Sequence, residues 1–588
     1  MTEPIVGIDL GTTNSEIAIV VEGHPRVIDY EGERIMPSVI GLSPDGELLV
    51  GTAARNQMAA YPERTIRSVK RRMGSDDRIP LGDRTLTPPE VSALILKELV
   101  RRARSVTGLA VREAVITVPA FFNDAQRQAT RIAGEIAGIT VARIINEPTA
   151  AALAYEGVTQ GERLLLVYDL GGGTFDASLV HTDGELVEVL ASHGDTRLGG
   201  DDFDNLIVEE FARALEALGI PDPRHDPHHL MRLLEAAEAA KRRLTEETHT
   251  QVREEFLGED AAGNAVHLDH ELARERFHTL IRPWIERTLD SVHETMSIAG
   301  KRFADLDDVL LVGGSTRTKL IGDRLHELCG RPPRKDVHPD LCVALGAAIQ
   351  GAVLAGQETG RVLVDVTPYS FGPSYVGMHD DMPSPHCYRP VIERGTPLPT
   401  TRAGAYATNV DNQETVELVI YQGESTFALD NVEIGKFKIE GLSRLPKGNS
   451  IICRMHLDLN GQLVVSAIEK CTGLSKTVTI DGATNDYDPA AVEESRKRTG
   501  ELWNHDESDE LAPPIPITAG QPEWKRNVLA ILARAEAAAP SLAAAERDDI
   551  ATLQSEANDA LQRSDQSAAT AIAEELEDLL HYATDSEA

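Results

Sequence analysis

Two short segments, far apart in the chain, constrain its fold most strongly: Ile8-Asp9-Leu10-Gly11-Thr12-Thr13-Asn14 and Tyr168-Asp169-Leu170-Gly171-Gly172-Gly173-Thr174. Each ends an apolar, β-rich run with an aspartate, then turns through glycine and threonine. Glycine leaves backbone N–H groups open to an anion, threonine hydroxyls add donors, and an aspartate at a strand end can hold a hydrated Mg²⁺. One such segment would read as an ordinary tight turn. Two imply a duplicated fold that grips phosphates from both sides. A third segment, Val309-Leu-Leu-Val-Gly313-Gly314-Ser315-Thr-Arg317, again follows a strand with glycines. Alone it is a strand-to-helix turn; beside the other two it is the expected cradle for adenosine.

The surrounding pattern supports an α/β domain. From Ile5 to about Gly356, strand-like runs (Glu16–Val21, Val115–Val118, Leu164–Tyr168) alternate with helical periodicity over Pro89–Arg104 and Ala125–Ala137. After Gly360 the texture changes. Arg361-Val-Leu-Val-Asp365 reads as a linker, and from Val366 to Ile480 strands dominate, with Asn460-Gly461 as a hairpin signal between two of them. Asp488-Pro489 then caps a helical region rich in Ala, Glu and Leu, broken at Ala512-Pro-Pro-Ile-Pro516 and resuming from about Glu523 to Tyr582. The expected boundaries are 1–358, a linker at 359–366, an all-β unit at 367–484 and helices at 485–588. A chain of 588 residues divides into about three or four such units.

A formal net charge of -36 repels phosphate backbones and anionic lipid, so neither nucleic acid nor membrane is expected as a partner. Five scattered cysteines without a CxxC pair argue against a disulfide framework or a zinc site. Met1-Thr-Glu-Pro4 has no basic segment before an apolar run, and a cytoplasmic location is expected.

The three glycine segments resemble those of the actin, sugar-kinase and heat-shock ATPase superfamily. The match then narrows. Ile145-Asn-Glu-Pro-Thr-Ala-Ala-Ala-Leu-Ala-Tyr155, Val118-Pro-Ala-Phe-Phe-Asn-Asp-Ala-Gln-Arg127 and Gly194-Asp-Thr-Arg-Leu-Gly-Gly200 closely resemble the seventy-kilodalton heat-shock chaperones of the DnaK type. The short C-terminal region and Tyr388-Arg-Pro-Val-Ile-Glu-Arg-Gly-Thr-Pro-Leu-Pro399 are more similar to the specialised HscC branch. The resemblance implies an actin-like (ribonuclease-H-like, duplicated) ATPase domain, a β-sandwich substrate domain and a shortened helical lid.

It also implies residue roles. Asp9 and Asp169 would hold Mg²⁺ through water; Gly11, Thr12, Thr13, Asn14 and the Gly171-Gly172-Gly173 turn would bind phosphate. Lys70, which taken alone is a solvated lysine in the basic run 67–72, matches the lysine on the γ-phosphate and attacking water, with Glu147, Thr174 and Asp176 completing the catalytic group. Glu238, Lys241, Arg242 and Thr245 fall at i, i+3, i+4 and i+7 of a helix. In the family that face binds ribose and adenine, with Gly313, Gly314, Ser315, Arg317 and Asp340; on residues alone it could equally be a surface salt-bridge stripe. Pro119, Arg127, Arg143 and Asp365 match an interdomain relay. Tyr375, Val376, Asn409 and Val416 match the peptide arch and pocket, where one apolar side chain of an extended peptide would sit.

ATP/ADP, Mg²⁺ and K⁺ follow as cofactors. Unfolded or extended client polypeptides, a J-domain co-chaperone and a nucleotide-exchange factor follow as partners. Two departures stand out: Arg361 replaces an aliphatic residue in the linker, and Gly372–Tyr388 is longer than the usual substrate loop. A sugar kinase or an actin-like filament protein on the same ATPase fold would leave the β unit unexplained.

Overall fold

The computed structural model describes residues 4–155, 162–183, 186–260, 262–334, 338–357, 362–379, 381–480 and 489–503, with single positions of the C-terminal helical stretch. The break expected at Ala512–Pro516 and the boundaries of the helix expected at 523–582 lie outside these residues, as does Arg361. Two mixed sheets of like construction carry the first part of the chain. In one, the strand Ile5–Leu10 runs antiparallel to Asn14–Val21, which runs antiparallel to His24–Val27. On its other side Ile5–Leu10 pairs in parallel with Glu113–Val118, and that strand with Thr140–Asn146. In the other sheet, Arg163–Leu170 runs antiparallel to Phe175–Thr182, which runs antiparallel to Leu186–Asp195. Here too the first strand has a parallel partner, Asp308–Val312. Registers repeat along with the order: Asp9 stands opposite Glu16, and Asp169 opposite Asp176. Arg163–Leu170 is buried from Leu164 onward, as a strand covered on both faces must be.

Local chemistry fixes the helices. Pro88–Thr107 opens with a capping box between Thr87 and Glu90, has proline in its first turn, and stops at Gly108 in the left-handed conformation. Asp124–Ile136 has the same kind of box from Asn123 and Gln126. The two lobes meet where the alanine-rich helix Glu147–Ala154 crosses Cys342–Leu354. A Cβ on Gly346 would enter the Ala150 carbonyl, and one on Gly7 would enter the backbone at Ala347 and Ala348. The halves therefore touch backbone to backbone.

The β unit is two four-stranded antiparallel sheets. Their orders are Met382–Tyr388, Phe371–His379, Thr415–Gln422, Val432–Glu440 and Thr400–Ala407, Ser450–Leu457, Leu463–Glu469, Ser475–Ile480. Strict alternation of buried and less buried residues along Leu463–Glu469 marks a strand with one face on the core. The segment expected as a long loop, Gly372–Tyr388, is instead a β-hairpin whose last pair is His379 with Met382, and Met378 and Met382 are exposed near its tip. Its proline content hid the pairing.

The β unit is keyed onto the α/β part. Val362–Val364 adds to the second sheet as a strand parallel to Leu186–Glu188. Ile144 N–H donates to Asn460 Oδ1 at 3.3 Å, so the Asn460-Gly461 turn both joins two strands and touches the first lobe. Arg394 pairs with Glu294 at 3.5 Å. The helix Pro489–Leu502 lies on the first lobe: Arg498 pairs with the buried Glu90 at 2.6 Å, Arg496 donates to the Glu135 carbonyl, and Leu502 and Trp503 join the lobe's apolar core. Among the described residues no helix is long and apolar enough to cross a membrane.

Candidate active site

Both glycine turns are held by backbone geometry. Gly171 N–H donates to the Thr174 carbonyl, while the Gly200 and Asp201 amides, first in the helix Gly200–Ala217, donate to the carbonyls of Gly171 and Gly172. A Cβ on Gly172 would strike Thr13 Oγ1, which is how closely the two turns approach. Thr13 Oγ1 is buried and, among the described residues, has no hydrogen-bond partner. Ser38 fixes the other turn, its N–H donating to Thr13 O and its hydroxyl to Gly11 O, both at 2.8 Å.

Carboxylates gather around this point. Asp9 accepts a hydrogen bond from Thr117 Oγ1 at 2.9 Å. Burial, with Glu147 adding to it against Lys70, pushes its carboxyl up to about 7. Burial and then Glu147 likewise hold Asp169 and Asp176 well above the usual carboxylate range. Lys70, 4% exposed, donates to Glu147 Oε1. Burial works against its charge, but Glu147 and Asp9 outweigh it and hold the ammonium above its ordinary value. Among the described residues no three His, Cys, Asp or Glu side chains converge tightly enough to hold a metal directly. The all-oxygen donor set and the orphaned Thr13 hydroxyl fit a cation that keeps its waters beside a phosphate, as Mg²⁺ does.

The residues expected to hold a nucleoside are brought together in part. Arg317 and Asp340 are ion-paired at 2.5 Å beside Gly313 and Gly314, and Ser315 Oγ donates to the Gly171 carbonyl. Glu238, Lys241 and Arg242 lie on the helix Pro227–Arg243. Thr245 does not: the helix ends two residues before it, and its hydroxyl donates to the Arg242 carbonyl. Glu238 is paired with Arg55 at 2.9 Å, while Lys241 is paired with Asp204 and donates to the Gly200 carbonyl. These bonds span elements distant in sequence, so the face is no simple intrahelical stripe.

The residues expected to form an interdomain relay converge. Arg127 donates to Asn146 Oδ1 at 2.7 Å and to the Ala120 carbonyl at 2.9 Å, and Asn146 Nδ2 donates to Asp365 at 2.8 Å. Pro119 opens the turn that Phe122 N–H closes. Arg143 is buried beside Asp365 and Asp458. Asp176 accepts the Ala120 and Phe121 amides at 3.1 Å, and Tyr369 of the β unit donates to the Phe121 carbonyl at 2.7 Å. The Phe121 ring packs against both Tyr369 (4.9 Å) and His193 (5.1 Å). In the β unit, Val416 packs half-buried against the sandwich core, and Tyr375 and Val376 are exposed. Asn409 N–H donates to Gln413. The Tyr375 and Tyr406 rings lie 6.3 Å apart.

Sequence reasoning missed Glu16, Asn146, His193, Asp204 and Tyr369. The spacing of Glu16 from Asp9, which repeats that of Asp176 from Asp169, would have found the first. The others act through contacts between distant segments.

Two like sheets closing on one cleft of carboxylates and glycine turns, with a β sandwich keyed onto them, form the architecture of an ATPase coupled to a binding module. The family model described as Hsp70 protein matches residues 5–80 and 78–587, and the chain belongs to the Hsp70 family. Membership makes it an ATP-dependent chaperone: family members are ATPases that bind ATP and ADP with Mg²⁺ and take polypeptides as clients.

Proposed function

We propose that slow ATP hydrolysis in the cleft gates a clamp for extended apolar peptides in the sandwich, and that a J-domain co-chaperone accelerates it. Asp9 and Asp169 hold Mg²⁺ through water, and the bound ion supplies neutralisation of the phosphate charge. Amides and hydroxyls of Gly11–Asn14 and Gly171–Thr174 grip the phosphates. Glu147 orients Lys70, whose ammonium stabilises charge on the transferred phosphoryl group, while Thr174 and Asp176 position the attacking water. With no strong nucleophile in this set, rate depends on positioning and charge. Glu238, Lys241, Arg242, Gly313, Gly314, Ser315, Arg317 and Asp340 bind the adenosine. Val416 forms the peptide pocket under Tyr375, Val376 and Asn409. K⁺ as a second cation, a GrpE-type exchange factor, an HscC-like specialisation and a cytoplasmic site of action complete the proposal.

The observation that carries this reading is the hydrogen-bonded route from Asp176 through the 119–122 turn to Tyr369, with Arg127–Asn146–Asp365 beside it. Anything that shifts Asp176 shifts the surface on which the β unit rests. Thr174→Ala should slow hydrolysis about a hundredfold, the effect of losing one transition-state donor, while ATP still releases peptide. A normal rate in that variant would remove Thr174 from the site; a peptide off-rate identical in ATP and ADP would sink the chaperone cycle itself.

Docking should also depend on pH. Burial lowers the pKa of His193, Arg394 lowers it further, and Glu294 and Asp195 raise it. Its Nδ1 is buried without a partner among the described residues. An imidazole released from the interface returns toward its ordinary value of about 6.5. Docking is therefore at full strength above that value and weakens as the pH falls through it, by at most about tenfold at one unit below. A distance probe between lobe and sandwich, read in ATP from pH 8 to 5.5, should show this in the native chain and a flat profile in His193→Phe. Parallel profiles would exclude His193.

A further inference from the structure

Asp176 follows Asp169 by the same interval as Glu16 follows Asp9. Within each sheet the two carboxylates stand directly opposite one another on antiparallel neighbours, so their side chains share a face. Glu16 is thus the first-lobe counterpart of Asp176. Their surroundings differ. Asp176 accepts two backbone amides. Glu16 is 3% exposed, and among the described residues it accepts no hydrogen bond and forms no ion pair. It lies within electrostatic reach of Asp9, Asp340 and Glu147, against which Lys70 acts. Lys70 is already committed to Glu147. Burial first, then Asp9 and Asp340, hold its carboxyl well above the usual carboxylate range, and a positive charge brought in by a ligand would favour the ionised form.

We propose that Glu16 is a further carboxylate of the cation site: with Asp9 it would face, from the first lobe, the water shell of the Mg²⁺ that enters with the nucleotide. This rests on the reading of the cleft as an ATPase site. The duplication explains why the position is available, and the orphaned Thr13 hydroxyl places an incoming polar ligand at the same turn.

Calorimetry of ADP binding to the full chain, in Mg²⁺ and in EDTA, tests it. Glu16→Gln should cut the gain in ADP affinity conferred by Mg²⁺ by about tenfold, the lower end of what losing an outer-shell partner costs a metal. In EDTA, ADP affinity should stay the same or rise, because a charge near the phosphates is gone. Glu16→Asp, which keeps the charge, should retain most of the Mg²⁺ gain. Melting offers a second readout: nucleotide-free Glu16→Gln should melt no lower than the native chain, whereas a packing role would lower it. Equal Mg²⁺ gains in the native chain and Glu16→Gln overturn the proposal, as does an effect seen only on varying K⁺ at fixed Mg²⁺. Native protein that binds no ADP at all would sink the ATPase reading instead.

Discussion

Lys70→Ala should slow single-turnover ATP hydrolysis by about a hundredfold or more, the scale of losing one preorganised charge at a phosphoryl-transfer site. The ammonium is 4% exposed, so no solvent cation takes its place readily. Its loss also strips Glu147 of its partner. Breaking a buried pair costs about 3–5 kcal/mol, because the remaining charge stays buried and unpaired. Lys70→Arg should be nearly as slow, because a planar fork does not fit a site built for a compact ammonium. ATP affinity, measured separately, should change far less than turnover. Normal turnover in Lys70→Ala would remove the lysine from the mechanism and leave the Lys70–Glu147 pair as architecture.

Gly346→Val should destabilise the ATPase part by about 3 kcal/mol, the upper end of what overpacking costs. The added atoms would enter the backbone of Ala150 on the crossing helix. The helix Cys342–Leu354 has little room to give way, since Gly7 and Gly351 pack its other flank against the first strand nearly as closely. A drop in melting temperature of roughly 5 °C or more is expected. An unchanged melt would mean that the lobes do not meet at this crossing.

How far the site could be read beforehand follows from the range of each interaction. Asp9, Asp169 and their turns were legible because strand, aspartate, glycine and threonine are contiguous, and local chemistry dictates their shape. Lys70 was visible only through resemblance, since nothing in the run 67–72 says that one of its cations is buried against a glutamate in another segment. Thr245 was misplaced because periodicity does not mark where a helix stops; Pro227–Arg243 ends at Leu244 without a glycine to announce it. The hairpin Phe371–Tyr388 was taken for a loop because its prolines weaken the strand signal. The arrival of Arg498 at Glu90 joins residues too distant for any pattern to connect.

The three-residue ladder between Val362–Val364 and Leu186–Glu188 has a colloidal consequence. If the sandwich lets go as the proposed cycle requires, both partners become unsatisfied edges, an opening for unwanted pairing between molecules. The brevity of the ladder and the carboxylate of Glu188 within it make that opening a poor template for growth. On the proposed cycle, in which this ladder opens and closes with the nucleotide, the sheet could be unzipped repeatedly in a crowd of sticky chains without joining them.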